Sequence, residues 1–287
     1  MTQFLSPRQF AEAIGVSESS VRRWADRGDL AIARTAGGHR KIARSEAIRF
    51  IRDHSAEVVR PDLLAISEPT HRRARTTAFA EQHAELFEAL VAGEADVVTN
   101  MLTRMYVHGV SAAAICDGPL RHAMQEIGGL WPEDKRGIFL EHRATNICLE
   151  ALTTLRKQFS RPSAEPPIAV GGAPEKDPYA VPTLMVSVVL SDVGYETVNL
   201  GANTPLSVLT QSAAELGAKV VWLSVSRKLT TTMQKEFASA AAQLQRRRMH
   251  LFVGGRGASL LPTVNRKYIH VFHALSEMDA FARSLLS

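Results

Sequence analysis

The hydrophobic period of this 287-residue chain changes partway along its length, and no single layered domain satisfies both patterns. From about Thr77 to Phe159 apolar residues recur every three or four positions: Phe79, Leu86, Leu90; Val97, Met101, Met105; Ile115, Leu120, Met124, Ile127; Ile138, Ala144, Ile147, Ala151, Leu155. Four such segments, joined by short connections around Gly93, Gly109 and Pro132, predict a four-helix bundle. Past the proline-rich stretch 161–167 the pattern becomes short apolar runs (Ile168–Val170, Thr197–Leu200, Val220–Leu223, Leu251–Val253, Ile269–Phe272) alternating with longer helical stretches. That alternation predicts a doubly wound parallel α/β sheet, whose ligands sit at the C-terminal ends of the strands.

The first quarter follows neither pattern. Ser6 caps a short helix with Pro7 at its first position, Gly15 supplies a turn, and Ser17 caps a second helix that ends at Gly28. Leu30 to Ile42 alternates like a two-stranded wing with Gly37-Gly38 near its tip, and Ser45 is expected to cap a further helix through about His54. The predicted organisation is multidomain: a winged helix-turn-helix over 1–58, a linker over 59–76, the bundle over 77–162 and the α/β domain over 163–287.

Charge separates the same regions. Residues 1–76 hold 14 Lys and Arg against 9 Asp and Glu, whereas residues 77–287 hold 20 of each. A basic segment on a neutral body predicts a nucleic-acid reader attached to something else. The apolar runs are too short and too interrupted for a membrane span, and the N-terminus has no export-signal pattern. Two cysteines, Cys116 and Cys148, are too few for a disulfide framework. A cytoplasmic protein without membrane partners is expected.

The second helix places Ser19, Ser20, Arg22 and Arg23 on or near its outward N-terminal face. In a helix-turn-helix those positions enter the major groove, where Arg reads guanine and Ser reaches phosphate or base edges. Arg34, Thr35, Gly38, His39 and Arg40 form the wing and offer guanidinium and N–H groups to phosphate. Trp24 reads as the head's packing anchor. The bland alternative is a solvated basic face on a protein-binding winged helix. The run Val16-Ser17, Arg23-Trp24, Gly28-x-Leu30 and Arg34-Thr35-Ala36-Gly37-Gly38-His39-Arg40 resembles the MerR superfamily, its excisionase-like branch in particular, over about 55 residues. That resemblance implies binding to double-stranded promoter DNA.

The body resembles the cobalamin-binding module of methionine synthase, a helical bundle followed by a flavodoxin-like (Rossmann-like) sheet. Behind a MerR-type head it is similar to the CarH/LitR light-responsive repressors. Trp131 followed by Glu141-His142 matches the bundle motif, and the resemblance implies that the Trp covers the upper face of the corrin. Ser224, Gly254 and Gly255 match positions that line the nucleotide-tail pocket. Singly, each has a structural reading: Trp131 as core, Glu141-His142 as a polar pair at a helix start, Gly254-Gly255 as a turn.

The family's Asp-x-His-x-x-Gly motif falls on Asp177-Pro178-Tyr179-Ala180-Val181-Pro182. The implied lower-ligand histidine is therefore Tyr179. A neutral imidazole offers a lone pair oriented by a neighbouring carboxylate, whereas a phenol is a poor ligand to cobalt. Pro182 replaces the motif's glycine, and Pro132 follows Trp131 where CarH-type proteins supply a second histidine.

What this implies is a regulator without a cofactor, resembling the LitR subclass that lacks the cobalamin motif. Such regulators repress light-induced genes and take their signal from a short LOV flavoprotein. A homo-oligomer, dimer or higher, is expected, with no enzymatic activity. The alternative is a direct adenosylcobalamin photoreceptor or ligand-sensing repressor. A methyl-transfer corrinoid shuttle is opposed by both the missing axial histidine and the DNA-binding head. No histidine, cysteine or carboxylate spacing suggests a metal, and Gly171-Gly172 and Gly254-Gly255-Arg256-Gly257 do not form a dinucleotide fingerprint. Arg246-Arg247-Arg248 reads as a solvated helix end.

Overall fold

The computed structural model describes residues 4–66, 79–130, 135–159, 165–261 and 267–286. They fall into two units, residues 1–111 with 118–160, and residues 112–117 with 161–287.

The first unit begins with the winged head. Strand β1 (Phe4–Leu5) leads into α1 (Pro7–Ala13), where Ser6 and Gln9 cap each other reciprocally. Ser17 caps α2 (Glu18–Arg27) by accepting from the Ser20 N–H, and Gly28 closes it at φ +85°. Strands β2 (Ala33–Arg34) and β3 (Arg40–Ala43) make the wing, and the sheet order is β1-β3-β2, antiparallel. Helix α3 (Arg44–Asp53) follows β3 without a break. Its N-cap is Ala43, and Ser45 lies inside the helix, because a strand that runs directly into a helix leaves no turn for a capping serine. Phe10 meets Phe50 edge-on at 5.8 Å and Trp24 packs on it at 4.7 Å, and Val21, Leu30, Ile42 and Ile48 of the head are buried as well.

The linker expected from residue 59 starts later than the sequence suggests. The N–H groups of Val59 and Arg60 both donate to the Ala13 carbonyl, Pro61–Leu64 forms a short 3₁₀ turn, and Leu64 and Ile66 are buried. The rest of that stretch, including its basic cluster, lies outside the described residues.

Helices α4 (Phe79–Ala92), α5 (Ala95–Val107), α7 (Arg121–Gly129) and α8 (Lys135–Arg156) pack against one another. Gly93 and Gly109, at φ +85° and +96°, end α4 and α5 as expected. Between α5 and α7 lie α6 (Ala112–Ile115) and a wide five-residue turn (Cys116–Leu120) kinked at Gly118 before Pro119. The head is tied to this region by Arg52 at the end of α3. Its guanidinium lies 3.8 Å from the Tyr106 ring centroid and donates to the carbonyls of Tyr106 and Val110 at the C-terminal end of α5.

The second unit is the sheet domain: β4 (Ile168–Gly172), α9 (Ala180–Val193), β5 (Glu196–Asn199), α10 (Leu206–Glu215), β6 (Val220–Ser224), α11 (Thr231–Arg246), β7 (His250–Gly254), β8 (Ile269–Val271) and α12 (Leu275–Ser284). All five predicted strands are present and parallel, in the order β5-β4-β6-β7-β8, so the order reverses at β4. One face packs against α10 and α11 through Val170, Val221, Leu223, Leu251 and Val253 with Leu209, Phe237 and Leu244. Helices α9 and α12 pack together on the opposite face, where Phe281 of α12 lies 5.7 Å from Phe252. Asp117 completes this unit. Its two carboxylate oxygens accept from the N–H groups of Leu275 (2.9 Å) and Ser276 (2.8 Å), at the start of a helix whose own N-cap is Ala274. Among the described residues no helix is long and apolar enough to cross a membrane.

Candidate nucleic-acid interface and cobalamin-type site

At the head, the wing is closed by a turn in which the Gly38 N–H donates to the Thr35 carbonyl (2.8 Å) and the Thr35 N–H to that of His39 (3.0 Å). Gly38 sits at φ +78°, a conformation that favours glycine. Between the wing, α2 and the start of α1 runs a groove of about 530 Å³ that gathers Arg8, Arg22, Thr35, Gly38, His39, Arg40 and Lys41. Arg22, Thr35, Gly38, His39 and Arg40 were expected from the sequence. Arg8 and Lys41 were not, since nothing in their local spacing marks them and only the fold brings them alongside.

Carboxylates hold the groove's arginines, beginning with Arg8, which meets Glu12 at 2.9 Å. Arg22 pairs with Glu18 one turn back at 2.6 Å, and Arg40 with Asp26 at 2.8 Å through Nη2. Nη1 of Arg40 is buried and carries no hydrogen bond among the described residues. Arg34 stands directly across the ladder from Arg40, a like-charge pair that costs stability and that an anionic partner relieves. Arg23 and Arg34 are exposed. The hydroxyls of Ser19 and Ser20 gather on Ser17, at 2.8 and 3.0 Å, so in the free head they belong to the helix cap.

A buried carboxylate fixes the wing's base. Glu46 is 6% exposed, accepts from the Ala31 N–H at 2.7 Å and holds Arg49 through two hydrogen bonds of 2.6 and 2.8 Å. Arg49 in turn donates to the Asp29 carbonyl at 2.9 Å, and its pKa is raised, chiefly by its hydrogen bond to Glu46. The chain leaving α2 is thereby tied to α3 at both sides of Leu30.

In the sheet domain Asp177, Tyr179, Ser224, Gly254 and Gly255 come together at the C-terminal edge of β4, β6 and β7. Asp177 is buried, but its carboxylate accepts from the N–H groups of Ser226 (2.6 Å) and Tyr179 (3.3 Å). It ties the loop after β4 to the loop after β6 and orients no imidazole. Tyr179 is the half-buried N-cap residue of α9, with the Arg227 guanidinium 5.6 Å from its ring centroid. Pro182 lies in the first turn of that helix. Ser224 is buried opposite Gly254. At Gly255, with φ +96°, an added Cβ would stand 2.3 Å from the Val225 carbonyl oxygen, so this glycine permits two backbones to touch.

These residues do not fit a cobalt-bound corrinoid. Position 179 carries a phenol, the carboxylate two residues earlier is committed to the neighbouring loop, and a pyrrolidine ring replaces the glycine. In the helical region Glu141 and His142 lie on α8, 3.5 Å apart, with His142 well exposed. Trp131 and Pro132 lie outside the described residues. His122 meets His83 at 5.9 Å between ring centroids, and His83 in turn reaches Glu126 at 3.0 Å. Among the described residues no group of three or more potential ligands could hold a metal.

Comparison with known proteins supports this division. A helix-turn-helix domain family matches residues 4–55, and a B12 binding domain family matches residues 82–156. The monomethylamine corrinoid protein of Methanosarcina barkeri superimposes with a TM-score of 0.52 at 19% identity, over 72% of this chain and 100% of that one. A cobalamin-binding protein from Desulfitobacterium hafniense aligns at 14% identity over 72% and 98% of the two chains, with a TM-score of 0.34. The methanol:cobalamin methyltransferase complex of Methanosarcina barkeri aligns at 16% over 80% and 90%, with a TM-score of 0.36. The search of curated proteins gives no match. The chain thus joins a helix-turn-helix DNA-binding domain to a cobalamin-type domain, the architecture of a DNA-binding regulator.

Proposed function

We propose that this protein is a transcriptional repressor of the MerR type that acts in the cytoplasm, binds promoter DNA as a dimer or higher oligomer, and takes its signal from a partner protein. The observation that carries the DNA-binding part is the groove between α2 and the wing, where Arg22, Arg40 and Lys41 converge and Arg34 opposes Arg40. In this reading α2 enters the major groove and the wing grips the flanking phosphates. Two linked heads on two half-sites gain affinity through effective concentration, so a partner that separates them costs several decades of binding.

The partner-fed signal rests on the phenol at position 179. A domain that cannot ligate cobalt needs another input, and a short LOV flavoprotein fits a light-responsive regulator of LitR type. The protein performs no chemistry of its own in this scheme. Fluorescence anisotropy with DNA from upstream of its own reading frame tests the first part: salt-sensitive, sequence-selective binding is expected, and equal affinity for unrelated DNA refutes it.

A second reading is favoured by the B12 binding domain match at residues 82–156: direct sensing of adenosylcobalamin held without a protein ligand to the metal. An absorption spectrum of the dialysed protein after incubation with adenosylcobalamin in the dark separates the two. A stoichiometric corrinoid spectrum supports direct sensing, and its absence supports the partner.

A further inference from the structure

On the α9 face of the sheet, one indole fills the space over β4 beneath α9. Trp222 of β6 pairs in register with Gly171 of β4, and its side chain is 1% exposed. A Cβ added at Gly171 would fall 2.0 Å from Cδ2 of the indole, 2.3 Å from Cγ and 2.4 Å from Cε2. The ring therefore lies flat across the neighbouring strand, and only glycine fits beneath it. Its Nε1–H donates to Oγ1 of Thr183 on α9 at 2.9 Å, and the Thr183 hydroxyl donates to Oδ1 of Asn199 at 3.1 Å. The same Asn199 oxygen accepts from the Gly201 N–H at 3.0 Å. The indole N–H, the Thr183 hydroxyl and the Asn199 carbonyl oxygen are thus all satisfied within the domain.

Side chains alternate along a strand, so Trp222 shares its face of β6 with Ser224. Ser224 and its register partner Gly254 are the positions that the cobalamin-type resemblance assigns to a nucleotide tail. Trp222 thus lies one step deeper on the strand face that carries those positions.

We propose that Trp222 is a resident substitute for a planar bicyclic heterocycle, which keeps the α/β domain permanently in its filled state. The ligand chemistry it replaces is an indole- or benzimidazole-sized ring with one N–H donor facing Thr183. Gly171, which the sequence offered only as part of a failed dinucleotide fingerprint, is the matching half of the device. The proposal rests on the cobalamin-type reading of the domain and extends it: small molecules have no entry here, so control must come through another surface.

The test uses the full-length protein. Trp222→Ala should lower Tm, and indole or benzimidazole at millimolar concentration should restore several degrees of it, with one equivalent bound by calorimetry. Wild-type Tm should respond to neither. Gly171→Ala should sharply lower Tm in the wild type yet raise it in the Trp222→Ala background, where the new methyl refills space. If Trp222→Ala does not fold, Trp222→Val carries the same glycine comparison. The proposal fails if Gly171→Ala costs the same in both backgrounds, if folded Trp222→Ala binds neither heterocycle, or if the wild type takes up benzimidazole. Promoter affinity measured on the same samples keeps the two readings apart: its absence in wild type sinks DNA recognition and leaves the plug untouched.

Discussion

The winged head and the sheet domain treat their polar residues in opposite ways. In the head the groove's arginines are exposed or half-buried and each is held by one carboxylate, with one buried donor of Arg40 unpaired among the described residues and two guanidinium-bearing residues facing each other across the wing. In the sheet domain Asp177 and Trp222 are buried and hydrogen-bonded, Asp177 accepting from the N–H groups of Ser226 and Tyr179, and Trp222 donating to Thr183. A surface meant for a polyanion keeps its guanidinium groups partly in solvent, where water serves the donors that face outward until the partner arrives. A cleft sealed from water tolerates none, so it persists either with a ligand or with side chains that complete the packing. The contrast teaches that a matching fold says less about a site than the hydrogen bonds its residues already make.

Several substitutions strain this contrast, and the largest effect falls on the sealed side. Trp222→Ala should cost roughly 3–5 kcal/mol in denaturant unfolding, as for other large aromatic truncations, with promoter affinity unchanged. A parallel loss of DNA binding would mean that the two ends are not separable. Glu46→Ala comes next, at about 2–3 kcal/mol, because it removes two of the hydrogen bonds of Arg49, leaving it Asp53 and the Asp29 carbonyl, and strands the Ala31 N–H. Here promoter affinity should fall as well, since the wing loses its base.

On the open side, Arg23→Ala should cost about 1–3 kcal/mol of operator affinity and relax specificity at one position, as read by anisotropy on single-base variants. Arg40→Ala should weaken binding to all sequences alike and reduce the salt slope by about one. Unchanged affinity in both variants would remove the docking geometry.

A gentler dependence comes from His250 and His270, whose rings share a hydrogen bond of 3.0 Å beneath Phe281. Burial lowers both pKa values, and Lys219 adds to the effect at His250. The unfolded chain then binds more protons, so their contribution to stability is intact above the ordinary histidine value and is lost as pH falls through it. Thermal melts should shift down between about pH 7 and pH 5.5, and His270→Gln should flatten that slope. The smallest expected effect is Tyr179→His, which alone should confer no corrinoid uptake by absorption because Trp222 still fills the cleft.

Much of this arrangement was legible in the sequence. The five strands, the serine caps and the glycine stops followed from period and turn chemistry, because those signals are local. The misses share a physical cause in contacts that spacing does not encode. Ser45 looked like a cap until β3 ran unbroken into α3. Val59 to Ile66 looked like a linker because its burial depends on the Ala13 carbonyl, far back in the chain. The role of Trp222 depends on Gly171 across the sheet, a pairing fixed only once the strand order is known. Arg8 and Lys41 joined the groove through the fold alone.

Asp117 carries a practical lesson about dividing the molecule. It reaches the last helix from a position about fifty residues before β4, and it supplies the only side-chain oxygens seen at the backbone N–H groups of Leu275 and Ser276 among the described residues. A fragment cut at the proline-rich stretch would carry every strand and every helix of the sheet, yet its final helix would start with bare amides. Dissection by sequence boundaries would therefore yield a piece that frays at its C-terminal end, and a clean excision has to bring the loop around residue 117 along with it.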